Sequence, residues 1–249
     1  MTGKIYVGVG GWTYEPWRGV FYPEKMPQKQ ELNYAATHLS SIEINGTYYS
    51  TFKPDSWMKW RDETPDDFVF AVKASRYCTN RKVLSEGGES FDRFLSQGLT
   101  LLGDKLGPIN WQFMGTKKFD AEDFEGFLRL LPKEKDGVRL RHALEVRNPT
   151  FACQEFYDLA ARYGAAIVYA VDDEEPTWPQ IDEATSDFRY ARLMSSREDE
   201  PTGMTSEELD AVADRTRGWA RGGDVFAYFI SGAKVRNPAA AQALIARLK

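Results

Sequence analysis

Short apolar runs alternate along the chain with longer stretches whose apolar residues return every three or four positions. The first pattern predicts strands and the second helices. Strands are expected over residues 4–10, 41–45, 68–74, 107–113, 138–146, 165–171, 188–193 and 224–230. Helices are expected over 31–39, 55–62, 91–102, 121–131, 152–163 and 205–220. A last helix has Asn237 as its cap and Pro238 at its first position. The run 165–171 is apolar throughout, as suits a strand buried on both faces. Residues 172–186 are acidic and proline-rich, with room for at most a short helix. Strands separated by helical patterns predict an α/β (β/α)8 TIM barrel. It is a single domain over residues 1–249 with a closed parallel sheet and one degenerate helix after strand six. A doubly wound open sheet is the alternative. Gly8-x-Gly10-Gly11 lacks the later glycine and the helix start of a dinucleotide turn.

Side-chain parity then gives the chemistry. Ile42 and Ile44 share one face of the second strand, and Glu43 and Asn45 the other. An inward carboxylate needs a partner or a wet cavity, because an unpaired buried charge is very costly. Barrels of this kind carry their sites at the C-terminal strand ends. The polar residues that fall there are Glu43, Asn45, Lys73, Gln112, Glu145, Arg147, Asp172 and Arg192. Three acids face three bases, so the set reads either as a buried ion-pair ring or as a pocket for a small, oxygen-rich ligand. Glu43, Glu145 and Lys73 are the catalytic candidates, with Glu145 the foremost acid–base group. The others are candidates for binding, together with the loop aromatics Trp12, Tyr14 and Tyr48, which form either a stacking wall or packing. The loops after strands seven and eight offer hydroxyls and a cation for an anion site: Ser195, Ser231 and Lys234.

Composition narrows the classes. The net charge is −5, which argues against sequence-independent nucleic-acid binding. Cys78 and Cys153 stand far apart without metal spacing and read as reduced thiols of a cytoplasmic protein. The start has no apolar signal segment, and no apolar run approaches the ~20 residues of a membrane span. Aromatic residues make up 14% of the chain, enough to ask whether they pack or line a pocket.

Five stretches in order carry a resemblance. They are Gly10-Gly-Trp-Thr-Tyr-x-x-Trp-Arg-Gly-x-Phe-Tyr-Pro23, Ser41-Ile-Glu-Ile-Asn-x-Thr-Tyr-Tyr49, Thr64-Pro-x-x-Phe-x-Phe-x-Val-Lys73, Leu102-Gly-Asp-Lys-Leu-Gly107 and Leu144-Glu-Val-Arg-Asn-Pro149. Together they resemble the YecE-like family, domain of unknown function 72, essentially end to end. The resemblance implies a TIM barrel and leaves the reaction open. Glu43, Asn45, Lys73, Gln112, Glu145, Arg147 and Arg192 match the family pattern. The stretches Phe113-Met114, Met194-Ser195 and Ile230-Ser231-Gly232 depart from it, so the side of the mouth built by strands two to five matches and the other is remodelled.

Two functions remain. The first is an enzyme acting on a small polyhydroxylated or phosphorylated compound by glutamate acid–base chemistry. The second is a non-catalytic or nucleic-acid-binding barrel. No cofactor is expected: Glu43, Glu145 and Asp172 could hold a divalent ion, but Lys73, Arg147 and Arg192 already balance them. His38 lies at a helix end and His142 has outward parity, which argues against zinc. The sequence sets no oligomeric state.

Overall fold

Gly8 shows why the first strand carries glycine. In the computed structural model, which describes residues 2–175 and 177–249, a Cβ at Gly8 would lie 1.7 Å from the Ser41 carbonyl oxygen. The neighbouring strand can approach only a bare Cα. Gly8→Ala is expected to cost on the order of 3 kcal/mol or more, because overpacked backbone cannot step aside. A fall in the urea midpoint checks this.

Eight parallel strands close into a barrel: Ile5–Gly10, Ser41–Ile44, Val69–Lys73, Leu106–Gln112, His142–Glu145, Ala166–Val171, Phe188–Leu193 and Asp224–Phe229. The first and eighth pair directly, with Gly8 opposite Tyr228. Eight labelled helices are α1 (Glu31–His38), α2 (Pro54–Asp62), α3 (Arg76–Thr79), α4 (Gly88–Leu95), α5 (Ala121–Arg129), α6 (Gln154–Tyr163), α7 (Ser206–Ala220) and α8 (Asn237–Leu248). The expected TIM barrel is therefore present, and among the described residues no helix forms between strands six and seven. No helix among the described residues is long and apolar enough to cross a membrane.

Three expected elements differ. The run 138–146 is not one strand. Asp136 and Gly137 take φ of 51° and 76°, the turn a two-residue hairpin requires. Glu134–Lys135 pairs there with Val138–Arg139, and the barrel strand begins only at His142. The helix expected over 91–102 ends at Leu95 because Gly98 sits at φ 104°; a 3₁₀ segment, Leu99–Lys105, follows. Asn237 is not a cap. Arg236 holds that position, and the Asn237 amide ties two loops instead: Ser196 Oγ donates to its Oδ1 at 2.6 Å, and its Nδ2 donates to the Ser231 carbonyl at 3.1 Å. The start of α7 follows its sequence, with Thr205 and Glu208 closing a capping box.

The aromatic excess is mostly packing. Trp111 stacks on Phe91 at 4.7 Å, and Phe113, Phe124, Phe127, Phe151 and Phe156 continue the layer between strands and helices. His142 belongs to this layer. It accepts from Trp111 Nε1 and contacts the Pro132 carbonyl, and burial pushes its pKa down to about 4. Inside the barrel the bottom is plugged by Tyr6 stacked on Phe226 at 4.9 Å. Small residues such as Ala71, Ala143 and Ala170 leave room above for Tyr190, Tyr228 and a charged layer.

Candidate functional site

The charged layer lies where the strands end. Gly10 pairs with Glu43, Gln112 with Glu145 and Ala170 with Arg192, so three inward positions reach one level. Arg192 stands between the carboxylates. Its Nη1 donates to Glu145 Oε1 and Oε2 at 2.9 and 2.8 Å, and its Nη2 donates to Glu43 Oε1 at 3.1 Å. Asn110 Nδ2 bridges the same two groups, at 3.2 Å to Glu43 and 3.0 Å to Glu145. The Tyr190 hydroxyl donates to Glu43 Oε2 at 2.5 Å. Beneath this level, the Tyr228 hydroxyl lies 2.7 Å from Ser41 Oγ, which donates to the Val69 carbonyl. Glu43, Asn110 and Glu145 are fully buried and Arg192 nearly so, which makes them a floor.

A half-buried wall rises from this floor on the side of strands two to five. Arg147 donates to Glu145 Oε1 from Nε and Nη2, at 2.9 and 2.6 Å, and from Nη2 to Gln112 at 3.0 Å. Its guanidinium lies 4.0 Å from the centre of the Trp178 ring. The Lys73 ammonium sits over the Tyr48 ring at 4.6 Å, and the Tyr48 hydroxyl accepts from Asn80 Nδ2. Asn45 leans over the first strand, where a Cβ on Gly10 would come within 2.6 Å of its Nδ2. Four buried polar atoms at this end have no hydrogen-bond partner among the described residues: Asn45 Oδ1, Asn110 Oδ1, Arg192 Nε and Ser195 Oγ.

The electrostatics separate the catalytic candidates. Burial alone would raise the pKa of Glu145. Arg192, Arg147, Lys73 and the Asn110 hydrogen bond outweigh it and hold the carboxyl down at about 2. With five hydrogen bonds on two oxygens, Glu145 is a fixed anion with no proton to exchange near neutrality. Arg192 is held charged, since Glu145 and Glu43 more than offset its burial. Lys73 goes the other way. Burial and then Arg192 push its ammonium down to about 8 against the opposing pull of Glu145 and Glu43.

The remaining predicted residues scatter. Gly11 takes φ 71°, which ends the strand's alternation, so Trp12 swings to the helix side and packs on Trp60 and Phe70. It is no part of the mouth. Tyr14 packs edge-on to Trp17 at 5.6 Å and carries the Lys234 ammonium at 4.2 Å, beyond the wall. Asp172 folds into its own loop, accepting from the Glu174 amide. The loops after strands seven and eight do meet, with the Ala233 amide donating to the Ser196 carbonyl at 2.7 Å. Their groups do not converge. Ser195 is buried, Ser231 is exposed at φ 61°, and Lys234 turns to Tyr14. No group of three or more His, Cys, Asp or Glu side chains gathers for a metal among the described residues.

Asn110, Tyr190 and Trp178 were missing from the sequence-derived set. Parity reaches the first two: Asn110 shares its face with Gln112, and Tyr190 with Arg192. Trp178 has only a weak cue, a lone indole in an acidic segment.

Glu43, Lys73, Glu145 and Arg147 of this site lie within the stretches that carry the resemblance noted in the sequence. The model of the family described as "Protein of unknown function DUF72" matches residues 6–249. The chain belongs to the DUF72 family. Among relatives, the UPF0759 protein YunF of Bacillus subtilis is 28% identical over 73% of this chain and 63% of its own length. The UPF0759 protein YecE of Escherichia coli K12 is 27% identical over 59% of this chain and 50% of its own. The matches thus span less than two thirds of either relative. A DUF72 family crystal structure from Thermotoga maritima superposes with a TM-score of 0.77 at 25% identity, covering 97% of both chains. SacUVDE shares the barrel, with a TM-score of 0.59 over 99% of this chain and 98% of its own, at 10% identity; that likeness concerns the fold alone.

Proposed function

We propose that this DUF72 barrel is an enzyme for a small polyhydroxylated or phosphorylated compound, and that Lys73, not either glutamate, carries the proton. One observation carries the reading. Glu43 and Glu145 are matched by Arg147 and Arg192 in direct ion pairs, which leaves Lys73 as the surplus cation without an ion-pair partner among the described residues. A proton-transfer group works best with a pKa near the working pH, and about 8 meets that condition. The glutamates act as anchors that hold both guanidiniums and Asn110 in place. The acceptors Asn45 Oδ1 and Asn110 Oδ1 suit hydroxyls, and the surplus positive charge suits one anionic group.

A thermal-shift panel of glycerol 3-phosphate, glucose 6-phosphate and gluconate tests this. A ligand at a hundred times its Kd adds about 2.7 kcal/mol, or roughly 5–10 °C for a chain of this size. The shift is expected with the native protein and is expected to vanish in Lys73→Met, each measured against its own baseline. Equal shifts in both proteins would remove Lys73 from the site.

A further inference from the structure

Two buried or half-buried lysines in this barrel differ in how their donors are spent. Lys105 is buried and gives hydrogen bonds to the Arg61 carbonyl, the Thr64 carbonyl and Thr64 Oγ1, at 2.6, 2.7 and 3.3 Å. Its amine is structural and committed. Lys73 has no hydrogen-bond acceptor or ion-pair partner among the described residues, only the face of Tyr48. A half-buried ammonium with no acceptor or carboxylate partner in the protein is costly, so a site retains one for what the amine does. Lys234 also rests on a tyrosine ring, but burial is the sole cause of its depressed pKa; no charged neighbour contributes.

We infer that Lys73 is a covalent amine, which captures the carbonyl of an aldehyde or ketone substrate as an imine. The inference rests on the reading of the mouth as a small-molecule site and narrows its substrate to a carbonyl compound. Burial, and after it Arg192 and Arg147, favours loss of the ammonium's proton against the pull of Glu145 and Glu43, which leaves the neutral nucleophile. The Nζ lone pair then bonds to the carbonyl carbon, the C=O π pair moves to oxygen, and the Nζ–H and solvent protons redistribute to give a neutral carbinolamine. Protonation of its hydroxyl and cleavage of the C–O bond release water, leaving a protonated imine. The sum is neutral amine plus carbonyl plus one proton giving protonated imine plus water, with no oxidant or reductant. The product cation stands where the ammonium stood. It keeps the Tyr48 face at one side and the attraction of Glu145 and Glu43. The unpartnered Asn45 Oδ1 and Asn110 Oδ1 remain to receive hydroxyls on the substrate's carbon chain.

Incubation of the full chain with glyceraldehyde or glyceraldehyde 3-phosphate and cyanoborohydride tests the step by peptide mass mapping. The expected result is a reduced adduct on Lys73 that forms at least tenfold faster at pH 7.5 than on any exposed lysine. Its rate should rise with pH to half its maximum near pH 8. Lys73→Met and Lys73→Arg should lack that peptide adduct while their other lysines label as before. Labelling of exposed lysines with Lys73 unmodified would overturn the inference. Glycerol 3-phosphate and gluconate, which have no free carbonyl, separate the two readings. If they stabilise the native protein but not Lys73→Met while no adduct forms, the imine is wrong and the small-molecule site stands. If no adduct forms and nothing stabilises the protein, both fall.

Discussion

Arg192→Met is expected to lose about 3–5 kcal/mol of stability, the largest cost of any single truncation at the mouth. Its guanidinium is ion-paired to both Glu43 and Glu145, and both carboxylates are fully buried. Without it Glu145 keeps Arg147, but among the described residues Glu43 keeps hydrogen bonds from the neutral donors Tyr190 and Asn110 alone, with no ion pair. A buried anion with neutral partners has no route to solvent and must either protonate or open the barrel. With total stability typically about 5–15 kcal/mol, this loss removes about a fifth or more of it. Arg192→Lys should recover little, since one ammonium cannot reproduce a fork that reaches two carboxylates. The triple change Glu43→Gln, Glu145→Gln, Arg192→Met should be more stable than Arg192→Met alone, because it removes the stranded charges. Urea midpoints at unchanged m-value measure all of these. An Arg192→Met protein as stable as the native one would mean the carboxylates are neutral or hydrated.

How far the sequence carried depends on what each position requires. The eight strands were legible because a strand buried on both faces must be apolar. Parity within them placed Glu43, Glu145, Arg147 and Arg192 inward, and the barrel does bring them together. Parity fails where the backbone stops alternating. Gly11 at φ 71° turns Trp12 away from the mouth, although position 12 continues the inward series from Gly8 and Gly10. The Asp136-Gly137 turn was in plain view, but the apolar pattern after it ran on smoothly and hid the hairpin. Residue types alone offered the two glutamates as the acid–base pair. The number of donors converging on each carboxylate is what moves our proposal from the glutamates to Lys73, and such a count is a property of distances. Trp178 reaches Arg147 through a segment with no periodic pattern, so no rule of spacing could place it.

Lys73→Met is expected to make the protein more stable at neutral pH, by about 2 kcal/mol. The sign follows from the direction of the shift. The ammonium has a pKa of about 8 in the folded chain and 10.5 as its ordinary value. Below pH 8 both folded and unfolded chains hold the proton, and the folded chain bears the whole cost of the crowded charge. Between about 8 and 10.5 the unfolded chain binds more protons than the folded one, so native stability rises with pH. Above 10.5 the amine is neutral in both states and the cost is gone. The interval corresponds to roughly 3 kcal/mol, and solvent screening of a partly exposed ammonium lowers the expectation to about 2. Methionine has similar length and no charge, so it removes that cost while still covering the Tyr48 ring. The difference in urea unfolding free energy between variant and native protein should therefore be largest at pH 7 and shrink steadily between pH 8 and 10.5. Taking the difference cancels the titration of every group the two proteins share. A variant less stable than the native protein at pH 7 would make Lys73 a structural cation, whose attraction to the carboxylates outweighs the cost of its burial beside the guanidiniums. A stabilised variant that has lost its ligand response would show the trade expected of a working group, an amine kept at a cost to the fold.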